Sequence, residues 1–147
     1  MVKIKIYRVP KKEFEKQFGK YAWGTSSLEY GEPDIILKES IKSRKKIRGT
    51  IEHELGHIFS EKRKITRKLP VSEKRKLLEL YKKHKEYRKR KTIKGKERMQ
   101  EIIADLYGYS KSKNNYKRLL KKAVPRTMEI IKREREKFKP KLIKQKY

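Results

Sequence analysis

The sequence predicts an α+β fold: a small sheet of about three strands near the N-terminus, followed by helices. Three observations predict it. Apolar and charged residues alternate along Val2-Lys3-Ile4-Lys5-Ile6-Tyr7, the period of a strand with one buried face. A short β-branched run, Asp34-Ile35-Ile36-Leu37-Lys38, follows a Gly31-Glu32-Pro33 turn signal. Beyond residue 40 the apolar residues recur at helical spacing.

Residues 3–8 read as the first strand, with Ile4 and Ile6 on one face. Pro10 opens a short helix in which Phe14 and Phe18 lie four apart, and Gly19 ends it. Residues 21–30 and 34–38 are the next strands. Ser40 or Ser43 caps a helix that runs to about Ser60, with Ile47, Ile51, Leu55 and Ile58 as its apolar stripe. Residues 61–71 read as a basic connection. A helix then runs from Ser72 to about Arg90, carrying Leu77, Leu78 and Tyr81, and Gly95 breaks it. A further helix spans about 96–109. Asn114-Asn115 is a break, and two basic helical stretches follow at about 116–123 and 126–138, split by Pro125. The tail, residues 139–147, is expected to be mobile.

The chain of 147 residues is 34% hydrophobic and 44% charged and contains no cysteine. That implies one domain with a modest core. It excludes a disulfide framework, a cysteine-ligated metal site and a thiol nucleophile. The N-terminus lacks the apolar core of a signal peptide, and no run reaches membrane-spanning length, so the expectation is a soluble cytoplasmic protein. The net charge is +28, of which residues 1–60 carry +5 and residues 61–147 carry +23. A field of this size attracts polyanions such as nucleic acid.

Against this background one run carries chemistry: His53-Glu54-Leu55-Gly56-His57. On a helix, positions i and i+4 share a face, so His53 and His57 can offer two imidazole nitrogens to one metal ion. Glu54 stands beside them and can take a proton from a metal-bound water. At about 100° per residue both histidines point away from the apolar stripe. The helix can pack on a sheet and still present them.

Three windows lack lysine and arginine entirely: residues 21–37, 49–61 and 99–110. Together they hold eight of the 18 carboxylates. A buried core explains missing lysines but not the acids, whereas a cation-binding cleft explains both. In the third window Ile102, Ile103, Leu106 and Tyr107 share one face. Glu101 and Asp105 lie on the other, flanked by the small residues Ala104 and Gly108. Small residues there let another helix approach closely. Glu101 is therefore the candidate third metal ligand, and Asp105 the acceptor for the free N–H of a ligating imidazole. Glu61 is the rival third ligand, one turn beyond His57. His84, set among lysines, reads as an exposed surface histidine.

HExxH followed downstream by Glu101-xxx-Asp105 resembles the gluzincin clan of zinc metallopeptidases. The order of strand, backing helix, two strands, histidine helix and glutamate helix resembles it too. At this length the chain looks most like the minimal archaeal members, the minigluzincins, and is similar also to ImmA/IrrE-type peptidases. The resemblance covers roughly residues 1–110. It implies a zincin-like domain with a small mixed sheet, here with a basic helical insert at about 62–95 and extra C-terminal helices. It implies Zn²⁺ as cofactor, His53, His57 and Glu101 as its ligands, Glu54 as general base and Asp105 as support behind a ligand. It implies a protein or peptide substrate lying along an edge strand near Ala22, Trp23 and Gly24. Tyr107, Tyr109 and Tyr116 remain open as the oxyanion-stabilising residue. Residues 111–147 form a basic helical C-terminal segment, either a cover that keeps the peptidase latent, for which residues 114–147 are the candidate, or a polyanion-binding appendage.

The expected function is thus a zinc-dependent endopeptidase. Its rival is a basic nucleic-acid-associated protein with a structural or vestigial zinc site, motivated by the charge after residue 60. An inactive zincin that only binds a partner is a third reading.

Overall fold

The alternating N-terminal run forms strand β1 (Val2–Val9), and the run after Pro33 forms β3 (Asp34–Lys38) parallel to it, with Ile6 beside Ile35. Between them lie helix α1 (Lys11–Phe18) and the short strand β2 (Gly24–Ser27), which pairs antiparallel with β3. Helix α2 (Arg44–Lys62) follows, then α3 (Ile65–Lys68), α4 (Val71–Lys82), α5 (Gly95–Tyr109), α6 (Asn115–Ala123), α7 (Pro125–Lys137) and strand β4 (Pro140–Lys144). This computed structural model describes residues 2–20, 22–27, 33–82, 95–109 and 115–145. The sequence-expected helix beyond Lys82 and His84 lie outside them.

The sheet is mixed and has four strands, in the order β2-β3-β1-β4. A fourth strand corrects the expectation of about three. Residues 140–144, expected in a mobile tail, pair parallel with β1, with Ile4 beside Leu142. Parallel pairing brings together segments far apart in sequence, so no local pattern announces it. Residues 61–71 differ too. The connection contains the helical turn α3, entered through Lys64 in the left-handed conformation, and buries Ile65.

One face of the sheet builds the core. Strand alternation turns Ile4, Ile6, Ile35 and Leu37 the same way, and they pack with Leu55, Ile58 and Phe59 of α2 and Ile102, Ile103 and Leu106 of α5. Leu120, Val124, Met128, Ile131 and Phe138 of the C-terminal segment belong to the same cluster. Phe59, Tyr107 and Phe138 form its aromatic centre, with ring centroids 4.9–6.1 Å apart. On the opposite face Phe14 of α1 is buried. Beside it the Lys38 ammonium is bound by Glu15 at 2.7 Å and by the Lys20 carbonyl at 3.1 Å.

Polar contacts fix where the helices begin and how the C-terminal segment docks. Ser43, rather than Ser40, caps α2, its hydroxyl accepting from the Lys46 N–H. Pro125 starts α7, whose open N–H groups at Arg126 and Thr127 donate to the buried Glu73 carboxylate of α4 at 3.3 and 2.6 Å. Glu134 of α7 bridges Arg63 at 2.7 Å and Lys68 at 3.0 Å. Burial opposes its ionisation, but these two cations outweigh burial and hold the carboxyl below its ordinary range.

A carboxyl lowered in this way adds stability above the unfolded carboxylate pKa of about 4.3, and that stability disappears as the pH falls through the folded value. Glu134→Gln should therefore lower unfolding stability by about 1–3 kcal/mol at neutral pH. The gap to wild type should close in acid, as read by urea denaturation across a pH series.

Candidate metal centre

Two small residues set the site. A Cβ built on Gly56 of α2 would lie 2.5 Å from both Cα and the carbonyl oxygen of Ala104 on α5, so the helices touch backbone to backbone there. No larger side chain fits at Gly56 without moving one helix. Of the two small residues expected at the contact, Ala104 makes it, whereas a Cβ on Gly108 would meet nothing.

The contact sets four polar side chains side by side. His53 and His57 lie three before and one after Gly56, and Glu101 and Asp105 lie three before and one after Ala104. On a helix, offsets of −3 and +1 fall about 60° and about 100° round from the contact line, on the same flank. The facing pairs therefore converge. His53 Nε2 lies 2.8 Å from Glu101 Oε2, His57 Nε2 lies 3.1 Å from Glu101 Oε1, and the two Nε2 atoms are 3.2 Å apart. Behind them, His53 Nδ1 lies 3.0 Å from Asp105 Oδ1, where its N–H donates to the carboxylate.

The donor set fits a divalent transition metal. Ligands at about 2.0–2.1 Å in a tetrahedral shell stand about 3.3 Å from one another, close to the three separations seen here. Two imidazoles and one carboxylate are the donors such a metal takes. Glu54 is near as well, with its carboxylate within 4.8 Å of the two imidazole atoms. It touches neither imidazole at hydrogen-bond distance, whereas Glu101 touches both, so Glu101 is the better ligand. Glu61 makes no such contact with the histidines and lines the cleft wall instead.

Electrostatics favour a cation at this point. Burial alone would lower the His53 imidazole, but the Asp105 and Glu101 carboxylates outweigh it and hold it up at about 10. Burial would raise Glu101, yet its hydrogen bonds with His53 and His57 hold its carboxyl well below the usual carboxylate range. The carboxylates thus favour positive charge at this point: a proton on His53 in the metal-free chain, which a metal would displace to reach Nε2.

The site opens into a cleft of about 370 Å³ lined by Gly24, Thr25, Ser26, Glu54, His57, Ser60, Glu61, Gln100 and Glu101. Glu54 is only 8% exposed and borders it. Strand β2 forms one wall. A Cβ on Gly24 would lie 2.6 Å from the Thr50 methyl, so this glycine lets the strand press against α2. β2 is an edge of the sheet, and among the described residues its outer side pairs with no strand. Gly24 lines the cleft, but Ala22 and Trp23, grouped with it from the sequence, do not. Trp23 lies outside, under the Lys46 ammonium at 3.3 Å from its ring centroid.

Two further candidates can be placed. Tyr107 does not face the cleft: it is buried in the core beneath the Arg135 guanidinium, and burial pushes its hydroxyl up to about 12 against the pull of Arg135. The side chains of Tyr109 and Tyr116 lie outside the described residues. Nor do the described residues of the C-terminal segment cover the site. None lines the cleft, and β4 occupies the sheet edge opposite β2. Thr25, Ser26, Ser60 and Gln100 were not singled out from the sequence. The one signal for them is that all lie in windows free of lysine and arginine.

Comparison with protein-family models, curated proteins and solved structures returned no match.

Two substitutions probe this geometry. Gly56→Ala should cost about 1–3 kcal/mol of stability by forcing α2 from α5, and should weaken metal binding, while Gly108→Ala does neither. Urea melts and metal titrations read both effects. Asp105→Ala should leave the fold intact and lower metal affinity about 10–100-fold, measured by competition with a chromogenic chelator.

Proposed function

We propose that this protein is a zinc-dependent endopeptidase with a minimal zincin-like fold. The observation that carries the reading is the convergence of His53, His57 and Glu101 at 2.8–3.2 Å beside a buried glutamate, in a cleft walled by an edge strand. His53, His57 and Glu101 would hold the ion through two nitrogens and one oxygen. When bound, zinc supplies Lewis-acid polarisation of a carbonyl and makes a water ligand acidic near neutral pH.

The remaining work belongs to the chain itself. Asp105 accepts the Nδ1–H of His53, which fixes the tautomer and leaves Nε2 directed at Glu101 and His57. Glu54 takes the proton of the attacking water and later delivers it to the leaving amine nitrogen, acting in turn as base and acid. Its position inside the cleft shields that transfer from bulk water. The outer edge of β2 offers backbone N–H and C=O groups to an extended substrate, which would add to the sheet as one more strand. Gly24, Thr25 and Ser26 present small side chains there and leave room for it.

Glu54→Ala separates metal binding from chemistry. The variant should retain one zinc per chain and lose hydrolysis of a denatured protein substrate by about a hundred- to ten-thousand-fold. Hydrolysis at the wild-type rate by the zinc-loaded variant would remove Glu54 from the mechanism.

A further inference from the structure

The end of the cleft next to the metal residues has polar groups that the proposed chemistry does not use. Glu61 stands one turn beyond His57 in the last turn of α2, and its carboxylate has no hydrogen-bond or ion-pair partner among the described residues. Ser60 is 7% exposed and lines the same cleft, and its hydroxyl also has no partner among the described residues. Gln100, just before Glu101 on α5, brings an amide to the same cleft. An unpartnered hydroxyl opening into a cleft is a hydrogen-bonding group that a ligand can engage.

The lining also shows which kind of ligand. Among the described residues it contains three carboxylates, those of Glu54, Glu61 and Glu101, and no lysine or arginine, in a chain with 46 of them. Its other side chains are polar or absent, apart from His57. An apolar side chain pressed against Ser60, Glu61 and Gln100 would strip water from them and return no hydrogen bond. An acidic one would meet like charge. A cationic one supplies N–H donors to the Glu61 carboxylate, and such donors also suit the Ser60 hydroxyl and the Gln100 amide oxygen. Lys62, Arg63 and Lys64 follow directly in sequence but do not line the cleft, and Arg63 is engaged by Glu134. A bound zinc ion would offset the charges of Glu54 and Glu101, and the wider positive field is screened over about 8–10 Å at physiological salt, so the Glu61 carboxylate decides the preference.

We infer that Ser60, Glu61 and Gln100 form a subsite for a cationic side chain, so that the cleft selects polypeptides carrying arginine or lysine next to the bond presented to Glu54. This substrate class rests on the endopeptidase reading above. Glu61 is here a specificity-determining residue and takes no part in metal binding or proton transfer.

Binding and cleavage test the two readings separately. Dye-labelled pentapeptides Ala-Ala-Xaa-Ala-Ala, with Xaa arginine, norleucine or glutamate, are titrated at physiological salt against the zinc-loaded full chain carrying Glu54→Gln. The arginine peptide should bind about 10-fold tighter than the norleucine peptide, the span expected for a charge-assisted hydrogen-bonded pair. Adding Glu61→Gln should erase that preference, and Glu61→Arg should shift it to the glutamate peptide. Equal or absent binding of the three peptides, or a preference that survives Glu61→Gln, would overturn the subsite. The same peptides are then offered to the protein with Glu54 intact. Cleavage with no dependence on Glu61 would remove the subsite and leave the peptidase. Glu61-dependent binding of the arginine peptide without cleavage would keep the subsite and remove the peptidase.

Discussion

The backbone contact between Gly56 and Ala104 is the constraint on which the rest of the site depends. Two helices far apart in sequence meet where neither has a side chain larger than a methyl group. That distance decides everything on the flank beside it. Were the helices separated by an ordinary side-chain layer, interaxial spacing would be about 8–10 Å and the imidazoles and carboxylates would meet in a different arrangement. At backbone contact, each helix presents two polar residues at the same offsets from the crossing, and four groups interlock. The placing of the histidines against the carboxylates is thus a consequence of helix packing, and the packing is held from below by the apolar stripes of α2 and α5 against the sheet.

A second principle runs through the molecule: charge is sorted by location. The chain carries 46 basic and 18 acidic side chains, so most carboxylates would be expected to neutralise lysines on the surface. Several hold structural positions instead. Glu73 caps α7, Glu134 ties α7 to Arg63 and Lys68, and Glu15 binds the buried Lys38. Others gather at the cleft, where Glu54, Glu61 and Glu101 meet with no lysine or arginine on the lining among the described residues. The result is a negative cleft in a strongly positive protein. Such a cleft concentrates metal cations and positively charged groups without depending on the sign of the whole surface.

Much of this was legible in the sequence because it is local. Strand alternation at Ile4 and Ile6, the Pro10 and Pro125 helix starts and the apolar stripe through Leu55 and Ile58 are short-range patterns, and the structure reproduces them. The pairing of His53 and His57 with Glu101 and Asp105 was legible for a different reason. In a lysine-rich chain, a helix face with acids and an alanine but no lysine marks a surface that something else must cover. Other features depend on tertiary contacts that leave little local trace. Strand β4 reads Pro-Lys-Leu-Ile-Lys, too basic and too short to stand out, and becomes a strand only because β1 offers it an edge. Gly56 sits inside the histidine motif, yet only the facing Ala104 reveals why no larger residue fits. Thr25, Ser26 and Ser60 have no signature of their own. Tyr107, left open with Tyr109 and Tyr116 by the family resemblance but placed on the apolar face by helical spacing, packs in the core with Phe59 and Phe138.

The most direct test is the coordination shell itself. Zinc K-edge absorption on the full-length protein, loaded with one equivalent of the metal, reads ligand identity without reference to activity. The expected spectrum has nitrogen and oxygen scatterers at about 2.0–2.1 Å, with the outer-shell signature of two imidazoles. In Glu101→Ala the imidazole signature should persist while one protein oxygen is lost and affinity falls. A spectrum with fewer than two imidazoles, or failure to bind stoichiometric zinc at all, would contradict a metal centre built by the crossing of α2 and α5.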